Sequence, residues 1–175
     1  MLESILYLLI AILCGLLIRT FLFEFAFVKG NSMKPTLLSG EALFVSTLAY
    51  RTGDPERHDI VICHYPSRYI RGFKRIRIPQ HFVKRVIGLP GETVEIIEGV
   101  VHINGEPLDE PYLSPAHTKF KTNRAPVTLG DDEYYVMGDN RDNSNDSRRI
   151  GPLNRRMIIG RVQQVLFPLN RIRKP

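Results

Sequence analysis

Ser4 to Ile18 is an uncharged run of 15 residues near the start of the chain, and no other feature constrains the fold as much. Arg19 interrupts the run and Thr20 to Phe23 continues it, so 20 residues carry one charge near one end. A helix of that length crosses a hydrocarbon core of about 30 Å if Arg19 snorkels to the interface. Two other readings compete. A cleaved secretory leader wants a basic start and small residues at its end. This segment begins Met-Leu-Glu and is followed by the bulky Phe25-Ala26-Phe27. A buried core helix also suits so short an uncharged stretch. The expectation is a membrane anchor over residues 1–27 and a folded domain over residues 28–175. Arg19, Lys29 and Lys34 all follow the span. By the positive-inside rule they would keep the second domain in the cytoplasm.

The remaining chain is long enough for one modest core and too short for two. Its pattern is that of strands. Ala42 to Val45, Asp59 to His64, His81 to Ile87, Thr93 to Ile97 and Val100 to Ile103 are short β-rich runs, and Asn104-Gly105 is a turn signal. Asp132 to Met137 and Met157 to Phe167 read as further strands. No long stretch after residue 30 sustains a helical period. The fold expected is mainly antiparallel β behind an N-terminal transmembrane helix. Cys14 lies in the apolar run and Cys63 in a strand, so both read as buried free thiols.

The formal net charge is +6, which favours an anionic partner without choosing one. Residues 68 to 77 (RYIRGFKRIR) lie in a basic loop expected at about 66–80, with Tyr69, Phe73 and Ile76 interleaved. No helix-turn-helix, zinc finger or RNA-binding signature accompanies it, so nucleic acid is not the expected partner. Membrane phospholipid beside an anchor and a plain solvated loop both remain open. His58, His64, His81, His102 and His117 include no H-E-x-x-H pair, and Cys63-His64 lacks partners at zinc spacing. Asp142 to Asp146 starts like a calcium loop, but Ser147 replaces the required glycine and Leu153 the terminal glutamate. No metal and no cofactor is expected.

Three segments carry chemistry. In Gly30-Asn31-Ser32-Met33-Lys34-Pro35-Thr36, a serine sits on a turn a few residues past the span. Such a turn can aim a backbone N–H at a developing oxyanion, or be no more than a turn. In Phe82-Val83-Lys84-Arg85-Val86-Ile87-Gly88, strand alternation puts Lys84 on the apolar face with Phe82 and Val86, and Arg85 on the other. Burial there favours the neutral amine, which can accept a hydroxyl proton; a lysine that snorkels out cannot. The third, Gly138 to Arg148 (GDNRDNSNDSR), is polar throughout apart from its glycine. It reads as an exposed loop or as a networked loop that holds a neighbouring site rigid.

Taken jointly and in this order, GNSMKPT, KRVIGLPGE and GDNRDNSNDSR resemble the serine, lysine and acidic-loop boxes of bacterial type I signal peptidases. Asp59-Ile60-Val61 resembles the short strand box between the first two. The resemblance implies a Ser–Lys dyad without histidine. Ser32 would attack the scissile carbonyl and form an acyl-enzyme, and Lys84 would take its proton and later activate water. Ser144 matches the serine that hydrogen-bonds the lysine amine. Asp139 with Arg85 and Asp146 with Arg148 match two supporting ion pairs. The implied substrates are signal peptides of exported preproteins, cut after small residues in an A-x-A pattern. The implied site is the cell membrane, single-pass, with the catalytic domain on the extracytoplasmic side, against the local charge rule. Phospholipid and the secretion translocon are the further partners. Some members carry a serine two positions before the nucleophile that helps the oxyanion hole. This chain has Gly30 there, so the second donor is open. The competing readings are a self-cleaving Ser–Lys repressor, which would need a DNA-binding domain in place of the apolar run, a conjugation-type processing peptidase of the same chemistry, and a catalytically inert anchored β-module that binds lipid or exported chains.

Overall fold

The computed structural model describes residues 4–7, 9–12, 15, 23–71, 77–119 and 121–175. Cys14, Arg19 and residues 72–76 of the basic run lie outside the described residues. Residues 4–7, 9–12 and 15 are helical, and among the described residues no helix is long and apolar enough to cross a membrane.

From Phe23 onward the chain is built of antiparallel strands. A seven-stranded sheet has the order β1-β2-β11-β3-β4-β9-β10, and a four-stranded sheet the order β7-β6-β5-β8. In chain order the first holds β1 (Phe23–Phe27), β2 (Ala42–Ser46), β3 (Ile60–Arg71) and β4 (Arg77–Gly88). Next come β5 (Thr93–Ile97), β6 (Val100–Ile103), β7 (Glu106–Pro107) and β8 (Arg124–Thr128) of the smaller sheet. The chain then returns through β9 (Glu133–Met137), β10 (Leu153–Asn154) and β11 (Ile158–Phe167). Two single-turn helices, α1 (Ala49–Thr52) and α2 (Ser147–Ile150), sit between strands.

Side chains that alternate across the large sheet fill both of its faces. Ile60 and Ile62 join Val28, Met33, Leu37, Leu43, Val45, Val162 and Val165 on one side. Val61, Cys63 and Tyr65 join Tyr50, Val86, Tyr134, Val136, Leu153 and Ile158 on the other. A third cluster, including Ile87, Val94, Ile96, Leu129 and Met137, joins the two sheets. Burial on both faces explains why β3 opens with the unbroken apolar run Ile60-Val61-Ile62-Cys63. Cys63 is a buried free thiol, which burial pushes up to about 12.

Three departures from the sequence expectations have simple causes. Residues 23–27, placed with the anchor, form β1 and pair with β2 from Phe23↔Ser46 to Phe27↔Ala42. Phe23-Glu24-Phe25-Ala26-Phe27 has a period of two, which suits a strand edge and not a helix. The basic loop expected at 66–80 is largely a hairpin arm, since Tyr69↔Pro79, Ile70↔Ile78 and Arg71↔Arg77 pair. Extending the ladder satisfies backbone groups that a free loop would leave to water. Finally, β8 was not foreseen. Pro126 argues against a strand, but β8 is an exposed edge where the missing N–H costs nothing.

Candidate active site

The segment between β1 and β2 is a closed loop. Val28 N donates to Glu41 O and Gly40 N to Val28 O, both at 2.9 Å, which pins the base. Met33 and Leu37 enter the core at 2% and 0% exposure, and Leu37 N donates to Met33 O at 2.9 Å. Two apolar plugs therefore hold a tight turn with Ser32 at its rim. The far end of the loop is held by the C-terminal segment. Arg173 donates to Thr36 O at 2.5 Å and to the buried Glu41 carboxylate at 2.9 Å.

Across this loop lies the middle of β4, where Lys84 pairs with Val61 of β3. Lys84 is 2% exposed, and its Nζ donates to Ser32 Oγ at 2.7 Å and to Val83 O at 3.1 Å. Burial holds the amine below the usual lysine value; the charges of Asp146 and Asp139 oppose this and do not reverse it. The strand sends Arg85 to the opposite side. There its Nε and NH2 grip both Asp139 oxygens, at 2.9 and 2.7 Å. NH1 donates to His58 O at 2.9 Å, and the guanidinium lies 3.8 Å from the Tyr112 ring centre.

The polar segment after β9 is a networked loop. Asp146 accepts from Arg148 Nε and NH2 at 2.8 Å each, and from Gly138 N at 3.0 Å. Burial alone would raise this carboxyl; Arg148 and the Gly138 N–H outweigh it and hold it below the ordinary carboxylate range. Asp139 also accepts from Thr36 Oγ1, which ties the loop to the nucleophile turn. Asn140 N donates to Ser32 O at 3.0 Å, and Asn140 Nδ2 to Asn31 O at 3.0 Å. Gly138 lies so close to the turn that a Cβ there would press into the Ser32 carbonyl and Ser144 Oγ.

The structure thus brings Ser32, Lys84, Arg85, Asp139, Asp146 and Arg148 together, with both ion pairs formed. Ser144 is nearby, packed against Gly138, but the hydrogen bonds of Lys84 go to Ser32 and Val83 instead. Sequence reasoning missed Thr36, Asn140, the Arg141–Glu110 ion pair and the Arg173–Glu41 pair. Asn140 and Arg141 lay in the third box, but Glu110, Glu41 and Arg173 had no local signal. Among the described residues no cluster of three or more His, Cys, Asp or Glu side chains is placed to hold a metal ion.

Such a site, a buried amine on a loop-borne serine beside a braced carboxylate network, suits acyl transfer. Comparison with known proteins identifies the family. A family model described as signal peptidase, peptidase S26, matches residues 1–167. Signal peptidase I P of Bacillus subtilis subsp. natto is 42% identical, covering 94% of this chain and 88% of its own length. Signal peptidase I of Bacillus licheniformis is 40% identical, covering 98% and 91%. A solved signal peptidase I from Enterococcus faecalis is 32% identical over 62% of this chain and 97% of its own, with a TM-score of 0.49. On the sequence matches, the chain belongs to the signal peptidase family of serine endopeptidases, peptidase S26.

Proposed function

We propose that the protein is a membrane-anchored signal peptidase I in which Ser32 is the nucleophile and Lys84, acting as the neutral amine, is the general base. The observation that carries this reading is the 2.7 Å separation of Lys84 Nζ and Ser32 Oγ, with the amine only 2% exposed, because a neutral amine at that distance can accept the hydroxyl proton. Lys84 takes the hydroxyl proton as Ser32 Oγ attacks the scissile carbonyl. The Ser32 N–H stabilises the oxyanion. Collapse of the tetrahedral intermediate breaks the C–N bond, and the lysine ammonium returns its proton to the leaving amine. The acyl group stays on Ser32. Lys84 then deprotonates water, whose attack releases the new carboxylate and restores the serine.

The substrates are the signal peptides of exported preproteins, cut after small residues, and the domain faces the side where those chains emerge. The apolar run from Ser4 holds the domain at the bilayer, with phospholipid and the secretion translocon as partners. Ser32 lies nine residues past Phe23, across the single strand β1, which keeps the nucleophile near the end of that run, where a cleavage site leaves its own hydrophobic segment.

The test is cleavage of a preprotein with an Ala-x-Ala site by the full-length protein in detergent. Wild type should cut it, and Ser32→Ala and Lys84→Ala should each lose activity on the order of 10⁴-fold. Variants that cut as fast as wild type overturn the dyad. A C-terminal tag that resists protease in intact cells and yields only after lysis overturns the topology.

A further inference from the structure

We infer that Asn140 is a positioning residue for the oxyanion hole: its side-chain amide holds the Asn31 carbonyl and so fixes the direction of the Ser32 N–H. This rests on Ser32 being the nucleophile. A trans peptide unit is planar, with its C=O and N–H pointing opposite ways. The Asn31 oxygen and the Ser32 hydrogen belong to one such unit, so whatever grips the oxygen aims the hydrogen.

Two donors converge on that oxygen, Asn140 Nδ2 at 3.0 Å and Lys34 N at 3.2 Å. The Lys34 bond is internal to the turn and moves with it. The Asn140 bond comes from a different part of the fold. Asn140 also holds the next carbonyl, since its backbone N donates to Ser32 O at 3.0 Å. One residue therefore grips the chain on both sides of the nucleophile. The Ser32 N–H donates to no group among the described residues, which leaves it free for substrate.

Before these two bonds the chain is lightly held, since Gly30 N donates only to the exposed Ser39 Oγ, at 3.4 Å. Gly30 and Asn31 are exposed, Gly30 adopts φ +94°, and a Cβ on Gly30 would meet nothing within 4 Å. Gly30 also brings no hydroxyl to the hole, so the aim of the Ser32 N–H matters more. Asn140 is itself well held. It is 6% exposed, and its Oδ1 accepts from Asn143 N at 3.2 Å, so the two ends of the amide face opposite partner types and its orientation is set. Its neighbour Asp139 is clamped by Arg85 and Thr36. A bond to a peptide oxygen also polarises the unit and makes its N–H a stronger donor.

The experiment compares wild type, Asn140→Ala and Asn140→Asp, full length in detergent, on the alkaline plateau of the pH profile. Asp keeps an acceptor for Asn143 N and replaces the donor to Asn31 with a carboxylate oxygen that repels that carbonyl, so it reads the same contact with its sign reversed, even where Ala disturbs folding. The expected result is a fall in kcat of about tenfold to a hundredfold, below the effect of deleting a hole donor outright. KM should change by less than about twofold, as for an interaction realised only in the transition state. A peptide aldehyde ending in Ala-x-Ala, whose Ser32 adduct carries the oxyanion, should lose affinity by the same factor as kcat. Variants that match wild type in kcat, that change KM alone, or that keep full aldehyde affinity while kcat falls overturn the inference and leave Ser32 as nucleophile. A Ser32→Ala control that still cleaves overturns both.

Discussion

Lys84 carries an amine where an ammonium is costly, and both its proposed role and its effect on stability follow. Because burial holds its folded value below the ordinary one near 10.5, the proton leaves the native state before it leaves the unfolded chain. Protonation at acid pH removes the base, so kcat/KM should fall with a slope of one on the acid side of the depressed value. A pH–rate profile that stays flat from mildly acid to alkaline contradicts the role. The stability effect has the opposite sign to that of a salt-bridged lysine. Between the folded and ordinary values the unfolded state binds the extra proton, so stability rises with pH across that window and is lowest below it. At neutral pH Lys84 therefore costs stability. Lys84→Met, which fills similar space without a charge, should abolish cleavage and raise the thermal midpoint at pH 7. The gain should shrink as pH approaches 10.5, where wild type no longer bears the cost. Scanning calorimetry at the two pH values checks both points. Gly138→Ala tests the same neighbourhood by size. Its Cβ would displace Ser144 or the Ser32 carbonyl, and overpacking of this kind costs about 1–3 kcal/mol in unfolding free energy, with activity lost as the turn shifts.

The loop between β9 and β10 works as a unit because its buried charges Asp139, Arg141 and Asp146 each have a partner of opposite sign. Asp146 shows 0% exposure of its side chain and Arg148 9%, so removing one leaves the other buried and alone. Asp146→Asn should cost about 3–5 kcal/mol at pH 7 by urea unfolding. The folded carboxyl is held below its ordinary value, so this contribution is complete above the ordinary value near 3.8 and is lost as pH falls through the folded one. Wild type and variant should therefore converge in strong acid. This loop also marks where the sequence was legible. The pairs Arg85–Asp139 and Asp146–Arg148 lie within the boxes that carry the resemblance, and the strands around them follow from period-two runs and the Asn104-Gly105 turn, whose φ values are 52° and 90°. Glu110, which meets Arg141 from 31 residues away, and Arg173, which meets Glu41 from 132, stand in unremarkable local sequence. Their roles are set by where distant strands bring the chain, and neither composition nor periodicity encodes that. The β1 strand was hidden for a different reason: its phenylalanines continue an apolar run, and apolarity alone cannot separate the end of a helix from the start of a strand.

That boundary decides how the whole molecule is joined to its N-terminal segment. If the anchor ended at Phe27, cutting there would leave the domain intact. The sheet says otherwise, because β1 is an edge strand of the same sheet whose central strands hold Lys84. Phe23 stacks on Phe44 of β2 with ring centres 4.8 Å apart, and Ala26 packs on the cluster that seats Met33 and Leu37 below Ser32. The strand also leads directly into Val28, whose bonds to Glu41 and Gly40 close the nucleophile loop. Deletion of residues 1–22 should therefore give a folded domain that cleaves a short peptide at close to the full-length rate. On a preprotein embedded in lipid vesicles it should be slower, since without the proposed anchoring enzyme and substrate no longer share a surface. Deletion of residues 1–27 should do more damage. The aromatic stack alone is worth about 1 kcal/mol, or a fall of about 2–4 °C in thermal midpoint, before the lost ladder is counted. With Val28 left as a chain end, its bonds to Glu41 and Gly40 lose the strand that holds it in place, so the peptide rate should fall as well. Measuring midpoint and peptide kcat for the two truncations separates the outcomes. Equal behaviour of both would mean that β1 contributes nothing to the stability or activity of the domain, whereas a drop confined to the longer deletion makes the first strand part of the catalytic scaffold.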